Sequence, residues 1–469
     1  MTARFHMGRE AKWRALLMAG TFALAGMAAP CWAEDAHLGS ILQEPGSAGL
    51  GFLIRTTPSP YAGAGSRNAL LPLYLYEGER FFLRSTQAGM KLWNDDSQGV
   101  ELFVERRLEG FPEDEQPLSL EGMDVANTGA DLGARYFLRN DRSIWDVTLR
   151  RDVSSTSGGT EFRTSYGYRF GESRWALQPV VTLAWRDRDL NDYYYGVAAS
   201  EQTPGRPEYE ARSGWNATMA LFGRYRVFSD WELIGGLSAT RLSGAISDSP
   251  VVDRQWLWGA TAGLAYDFGN GTTRWHADDT PVYVKLLYGR DSAEGCHLAR
   301  IMTFKCTSLN SETPTDIVGV HFGRPFVSGL RGWPLDFVGY VGVLRHKERG
   351  FQPDVWRVDA YMKAYYYGFP WRDRVTTRVG FGFGLSYADA VPYAEAQSLA
   401  ARERNSSRLL NYLDPTIDIN LGDLFGDRNR ELYLGLGVSH RSGIFGSSQM
   451  LGTVNGGSNY IYVYLESAM

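Results

Sequence analysis

Residues 175–185 read Trp-Ala-Leu-Gln-Pro-Val-Val-Thr-Leu-Ala-Trp. Trp175, Leu177, Pro179, Val181, Leu183 and Trp185 alternate with Ala176, Gln178, Val180, Thr182 and Ala184. Successive side chains of a strand point to opposite faces. One face of this strand is therefore apolar from end to end, with a Trp at each end. A tilted strand of 9–11 residues crosses the hydrocarbon of a bilayer, and aromatic side chains gather at its two interfaces.

The pattern recurs. Trp256, Trp258, Ala260, Ala262, Leu264, Tyr266 and Phe268 share a face. Trp215, Ala217, Met219, Leu221 and Tyr225 oppose Asn216, Thr218, Arg224 and Arg226. Trp145, Val147 and Leu149 oppose Asp146, Thr148 and Arg150. Thr377, Val379, Phe381, Phe383, Leu385 and Tyr387 oppose Arg378 and a row of glycines. A soluble β-sandwich also alternates, but its strands usually run about 5–6 residues, and these runs are longer. No open strand edge survives in lipid, so the strands must close on themselves. The expected class is all-β, a transmembrane antiparallel β-barrel.

Eleven candidate strands precede residue 270, one of them over 80–93, and eight follow residue 280. Bacterial barrels have even strand numbers, so one of the first eleven is miscounted. Asn270 to Thr280 reads as a polar linker. The expected organisation is two tandem barrels, 34–270 with about 10–12 strands and 271–469 with eight. A single barrel of about twenty strands is the alternative. Residues 108–127 read as an acidic loop, and 390–404 as a short helix within a loop.

The first 33 residues carry an export signal. Arg4, Arg9, Lys12 and Arg14 precede the uncharged run Ala15–Ala29, and Cys31-Trp32-Ala33 places the cut before Glu34. Fifteen apolar residues are too few to span a bilayer as a helix. Pro30 stands where a lipoprotein signal at Cys31 wants a small residue. The remaining chain has a net charge of −8 and no basic block, which argues against nucleic acid as partner. Cys296 and Cys306 then remain, ten apart in an oxidising compartment, and a loop-closing disulfide is expected. His297 alone does not complete a metal site, and no cofactor is expected.

Several segments carry a family resemblance. Pro58-Ser59-Pro60-Tyr61-Ala62-Gly63 and Leu71-Pro72-Leu73-Tyr74 come first. Asp192-Tyr193-Tyr194-Tyr195-Gly196-Val197 and Gly205-Arg206-Pro207-Glu208-Tyr209 follow. Arg241-Leu242-Ser243-Gly244, Asp248-Ser249-Pro250-Val251-Val252 and Tyr266-Asp267-Phe268 complete the set. With them, the stretch from about 48 to 268 resembles the MipA/OmpV family of outer-membrane proteins. The resemblance implies an outer-membrane location. It also implies a scaffold between a lytic transglycosylase and a penicillin-binding protein, or an adhesin. Read without it, the prolines and glycines are turn residues and Tyr193–Tyr195 an interfacial aromatic cluster.

The alternation Leu432, Leu434, Leu436, Val438 continues to His440 and Ser442. His and Ser on the lipid side of a barrel are costly. His440-Arg441-Ser442 resembles the His-x-Ser motif of PagL-type lipid A 3-O-deacylases, eight-stranded barrels, and the last eight strands look like that family. The resemblance implies His440 as base, Ser442 as nucleophile and lipopolysaccharide as partner. The family's Asn after the Ser is Gly443 here, and its acid on the last strand is matched only by Asn459. Glu395 or Glu403, from the loop above, would be substitutes. The other reading makes His440 and Ser442 plain rim residues beside a turn rich in Gly and Ser.

Overall fold

The computed structural model describes residues 48–469 except 79, 111–115, 118–119, 155, 229, 269–280, 403, 405, 427–430 and 444–453. The export segment at 1–33 and the linker at 270–280 lie outside the described residues.

Thirteen strands make the first sheet. They are β1 (Ala48–Pro58), β2 (Ser66–Glu77), β3 (Phe81–Arg84), β4 (Gln87–Asn94), β5 (Gln98–Arg107), β6 (Gly129–Arg139) and β7 (Ser143–Asp152), then β8 (Thr160–Tyr168), β9 (Phe170–Glu172), β10 (Trp175–Arg186), β11 (Gly214–Arg226), β12 (Trp231–Arg241) and β13 (Trp256–Asp267). β13 pairs back with β1, Leu50 opposite Tyr266, and β9 only extends the foot of β10. Twelve strands therefore close the ring. The run expected over 80–93 is a hairpin, β3 and β4 joined by Ser85-Thr86. Such turns need a positive φ and usually show Asn-Gly. Ser85 takes φ 54° without that signature, which is why the count fell one short.

The second ring holds β14 (Tyr283–Asp291), β15 (Asp316–Val327), β16 (Leu335–Lys347), β17 (Val355–Tyr366), β18 (Thr377–Ala388), β19 (Leu409–Asn420), β20 (Leu432–Ser442) and β21 (Gly457–Ala468). β14 pairs with β21, and the barrel is closed. The chain forms two tandem barrels.

The alternation read from β10 is real in space. Leu177, Val181 and Leu183 are 42–47% exposed on the outer wall, while Ala176, Val180 and Ala184 are buried inside. Among the described residues no helix is long and apolar enough to cross a membrane. Tight turns such as 95–97 and 140–142 lie at one end of the first barrel, and the long segments 108–128, 187–213 and 242–255 at the other. The second barrel places its long connection 292–315 and the described residues of the β18–β19 connection at the same end. Outer-membrane barrels keep short turns in the periplasm and long loops outside, which sets the extracellular end of both. The long loops carry helices α1 (Arg188–Tyr195), α2 (Leu298–Met302) and α3 (Tyr393–Ala400), the last within the helix expected at 390–404.

The two outer walls meet. Leu71 and Leu73 of β2 face the lumen with Leu53, so Tyr74 points outward, yet it is only 1% exposed. Its ring lies 5.0 Å from that of Phe383, and its hydroxyl donates to Asn411 Oδ1 at 2.7 Å. Lipid supplies no hydrophobic drive for such contacts, so packing and hydrogen bonds hold them. Tyr74→Phe is expected to weaken the seam by about 1 kcal/mol, and adding Asn411→Leu to restore it, because both polar ends are then gone. Urea unfolding in vesicles reads the cycle.

Candidate functional site

Along β20, Leu434 and Leu436 face outward at 44% and 54% exposure, while Ser439 and Arg441 are fully buried in the lumen. His440 and Ser442 continue the outward face, at the extracellular rim. β21 sets Asn459 opposite His440, and His440 Nδ1 lies 2.7 Å from Asn459 Oδ1. Asn459 Nδ2 donates to the Cys296 carbonyl at 3.3 Å. The structure therefore brings His440 and Asn459 together. It does not bring in Ser442, whose strand partner is Gly457. No hydrogen bond among the described residues spans His440 and Ser442, although side chains two apart on one strand face can meet, as Tyr412 and Asp414 do at 3.2 Å.

Glu395 is not a partner of His440. It is fully buried on the lumen side of α3, 3.5 Å from Arg441 and accepting from Ser458 Oγ at 3.2 Å. Burial raises its carboxyl above the ordinary value, with Arg441 opposing. Glu403 lies outside the described residues. Beside Glu395, Glu348 accepts from the Tyr393 N–H at 3.3 Å and from Gln352 at 3.4 Å, which ties α3 down over the barrel mouth. Burial pushes the Glu348 carboxyl up to about 7.

The loop between β14 and β15 covers the rim. Cys296 and Cys306 are joined in a disulfide with Cα atoms 5.5 Å apart. Cys296, Ile301 and Val438 bury one another, with Leu298 and Ile461 against them. The outer wall just below His440 is thus roofed by protein. Changing both cysteines to Ser releases a closure contributing about 3 kcal/mol in the chain-entropy model. The expected result is unchanged membrane insertion with a several-fold rise in diethyl pyrocarbonate labelling of His440. Unchanged labelling would mean the loop needs no clip.

In the first barrel the segments singled out by family resemblance converge on one cap. The Asp187 carboxylate caps α1 by accepting from Leu190 N–H at 2.9 Å. Tyr61 donates to the Tyr194 carbonyl at 2.8 Å and stacks on Tyr195 at 5.6 Å. Ser249 donates to the Tyr195 carbonyl at 2.6 Å, and Tyr209 to the Ala245 carbonyl at 3.0 Å. Leu190, Val197, Leu242, Ile246, Val251 and Leu257 bury one another around them. Tyr193–Tyr195 is therefore a loop keystone as well as an aromatic cluster.

Tyr195 reaches through the cap to Glu109 at 3.0 Å. Burial raises the Tyr195 hydroxyl pKa; at Glu109 burial is overcome by Arg186 and Arg107, which hold its carboxyl below the usual value. Below lies a ladder of buried charges. Glu161 takes Arg150 at 2.7 Å, Arg163 at 2.9 Å and Arg107 at 3.3 Å, and Arg107 also meets Asp131 at 2.6 Å. Arg84 meets Glu101 at 2.8 Å nearer the periplasm. The pairings of this ladder were not read from sequence, although Glu101, Glu105, Arg107, Glu161 and Arg163 at alternate positions are its signal.

Residues 50–268 match the family model of MltA-interacting protein MipA. The chain is 26% identical to the MltA-interacting protein of Escherichia coli K12 over 225 residues, 48% of this chain and 91% of that protein. It is 26% identical to the putative outer membrane protein YiaT of the same organism, covering 45% and 86%. It is 27% identical to outer membrane protein OmpV of Vibrio cholerae, covering 50% and 88%. Solved outer-membrane proteins such as the copper transporter OprC cover 91% of this chain and 81% of their own, at 10% identity and a TM-score of 0.23, too loose a superposition to carry an argument.

Proposed function

We propose, with the first barrel a member of the MipA/OmpV family in the outer membrane, that this chain is an envelope scaffold for peptidoglycan assembly. The carrying observation is the family match combined with what fills the barrel. Its buried charged groups pair with one another beneath a packed cap, which favours a rigid platform over a channel or a catalytic centre. The short turns of the first barrel present that platform to the periplasm. A lytic transglycosylase is the partner favoured by the relative's name, and a penicillin-binding protein the second. Cross-linking in intact cells followed by purification of the full-length protein is expected to enrich a lytic transglycosylase several-fold over an unrelated barrel. Absence of both enzyme classes would leave surface adhesion through the extracellular loops as the better reading.

A second reading is lipid A ester hydrolysis at the rim of the second barrel. The His440–Asn459 pair at 2.7 Å favours it. A base needs its nucleophile within hydrogen-bond reach, and Ser442 is not bonded to it. Lipid A from cells with and without the protein is therefore expected to carry the same acyl chains by mass spectrometry. Loss of one ester-linked chain, abolished by Ser442→Ala, would make the enzyme reading correct.

A further inference from the structure

The outer wall of β14–β17 is built in horizontal rows. Registers align Leu286, Val320, Val343 and Val358 in one row, and Leu286, Val343 and Val358 are 43–58% exposed. One step toward the extracellular end come Tyr288, Val318, Arg345 and Trp356. At the edge come Arg290, Asp316 and Lys347. The wall thus changes from apolar to aromatic to cationic within three steps, on the side that faces lipid.

The edge is organised around one carboxylate. Asp316, 3% exposed, is held by Arg349 at 2.5 Å and by the Tyr288 hydroxyl at 3.0 Å, with Arg290 at 3.7 Å. Two guanidinium groups are so fixed beside each other on a single negative charge. Arg345 meets Asp354 at 2.8 Å and lies 5.6 Å from the Trp356 ring. Lys347, directly opposite Asp316, has no ion-pair partner among the described residues. The side chains of Arg345 and Arg349 stay 48% and 44% exposed. Four cations stand against Asp316, Asp354 and Asp389, whose Oδ1 accepts from the Trp356 N–H at 3.0 Å, which leaves a surplus positive charge of one at the height of the outer-leaflet head groups.

We propose that this rim binds the phosphorylated head group of lipid A. Guanidinium groups held side by side match phosphate oxygens, with a lysine as an added point charge. The exposed apolar rows beneath give the acyl chains of the same molecule a continuous surface. A soluble partner would not use those rows, and a simple phospholipid brings one phosphate to a patch spanning three strands. The lipid would sit on this wall toward its extracellular edge, above the point where Phe268 packs on Phe326 and Phe337.

The test uses full-length protein in detergent and native mass spectrometry. Bisphosphorylated lipid A is expected to bind at least about ten-fold tighter than its monophosphorylated form or phosphatidylglycerol, and millimolar inorganic phosphate to leave it bound, because a free anion lacks the acyl contacts. The triple variant Arg345→Gln, Lys347→Gln, Arg349→Gln should lose at least ten-fold in lipid A affinity, and Lys347→Gln alone about three-fold. Lys305→Gln, an equal charge change on the disulfide loop, should change nothing. Heat-modified gel migration checks folding. Should the triple variant fail to fold, the single variant and the lipid series decide. Equal binding of phosphatidylglycerol, or full retention by either rim variant, would overturn the proposal.

Discussion

Glu161→Leu is expected to cost the first barrel about 3–5 kcal/mol of stability. Glu161 is fully buried and holds three arginines, Arg150 at 2.7 Å, Arg163 at 2.9 Å and Arg107 at 3.3 Å. A buried ion network adds modestly when intact, because desolvation offsets most of the attraction. Removing the shared carboxylate is different, since it leaves several guanidinium groups uncompensated in the lumen. Arg107 keeps Asp131 at 2.6 Å and Arg150 keeps Glu105 at 2.9 Å, which limits the loss. Adding Arg163→Met, which removes one of the three guanidinium groups together with the carboxylate, should recover part of it. Urea unfolding in vesicles measures both variants, with tryptophan fluorescence as the signal. A loss below about 1 kcal/mol would mean that water enters the lumen and screens these charges.

Asp414→Leu should destabilise the second barrel on a similar scale, about 3–5 kcal/mol. Asp414 is fully buried on β19 and bonds Lys363 at 2.5 Å, with Lys285 at 3.6 Å. The hydroxyls of Tyr412, at 3.2 Å, and Tyr462 also donate to it. Without this carboxylate Lys363 loses its partner, whereas Lys285 still has Glu466 at 3.8 Å. The double variant Asp414→Leu, Lys363→Met is therefore expected to fold more stably than Asp414→Leu alone. The first barrel's unfolding should stay unchanged in both, because its ladder shares no charge with this one. Equal stability of the single and double variants would show that the tyrosine hydroxyls, and not the lysine, set the cost.

The candidate site divides along the same line as these networks. His440 and Asn459 were expected on one rim because each continues the outward parity of its strand, and they meet across β20 and β21. Ser442 shares that parity, but no hydrogen bond among the described residues joins it to the His. Glu395 lies on the loop above, as expected, yet turns to the buried Arg441 rather than outward to His440. No local pattern announces that choice. It follows from Arg441 pointing into the lumen, where a carboxylate is the group that offsets its charge.

Alternation of period two belongs to each segment alone, since adjacent residues of a strand must point to opposite faces. From residues 175–185 and their repeats it determined strand identity, the lipid side of each wall and the membrane setting. Closure is a different kind of fact. Whether β13 returns to β1 or passes on to β14 involves the same backbone hydrogen bonds either way, made between residues as far apart as Leu50 and Tyr266. Only the three-dimensional arrangement decided for two rings of twelve and eight strands. It also decided which buried arginine meets which carboxylate, because those partners come from strands on different sides of one lumen.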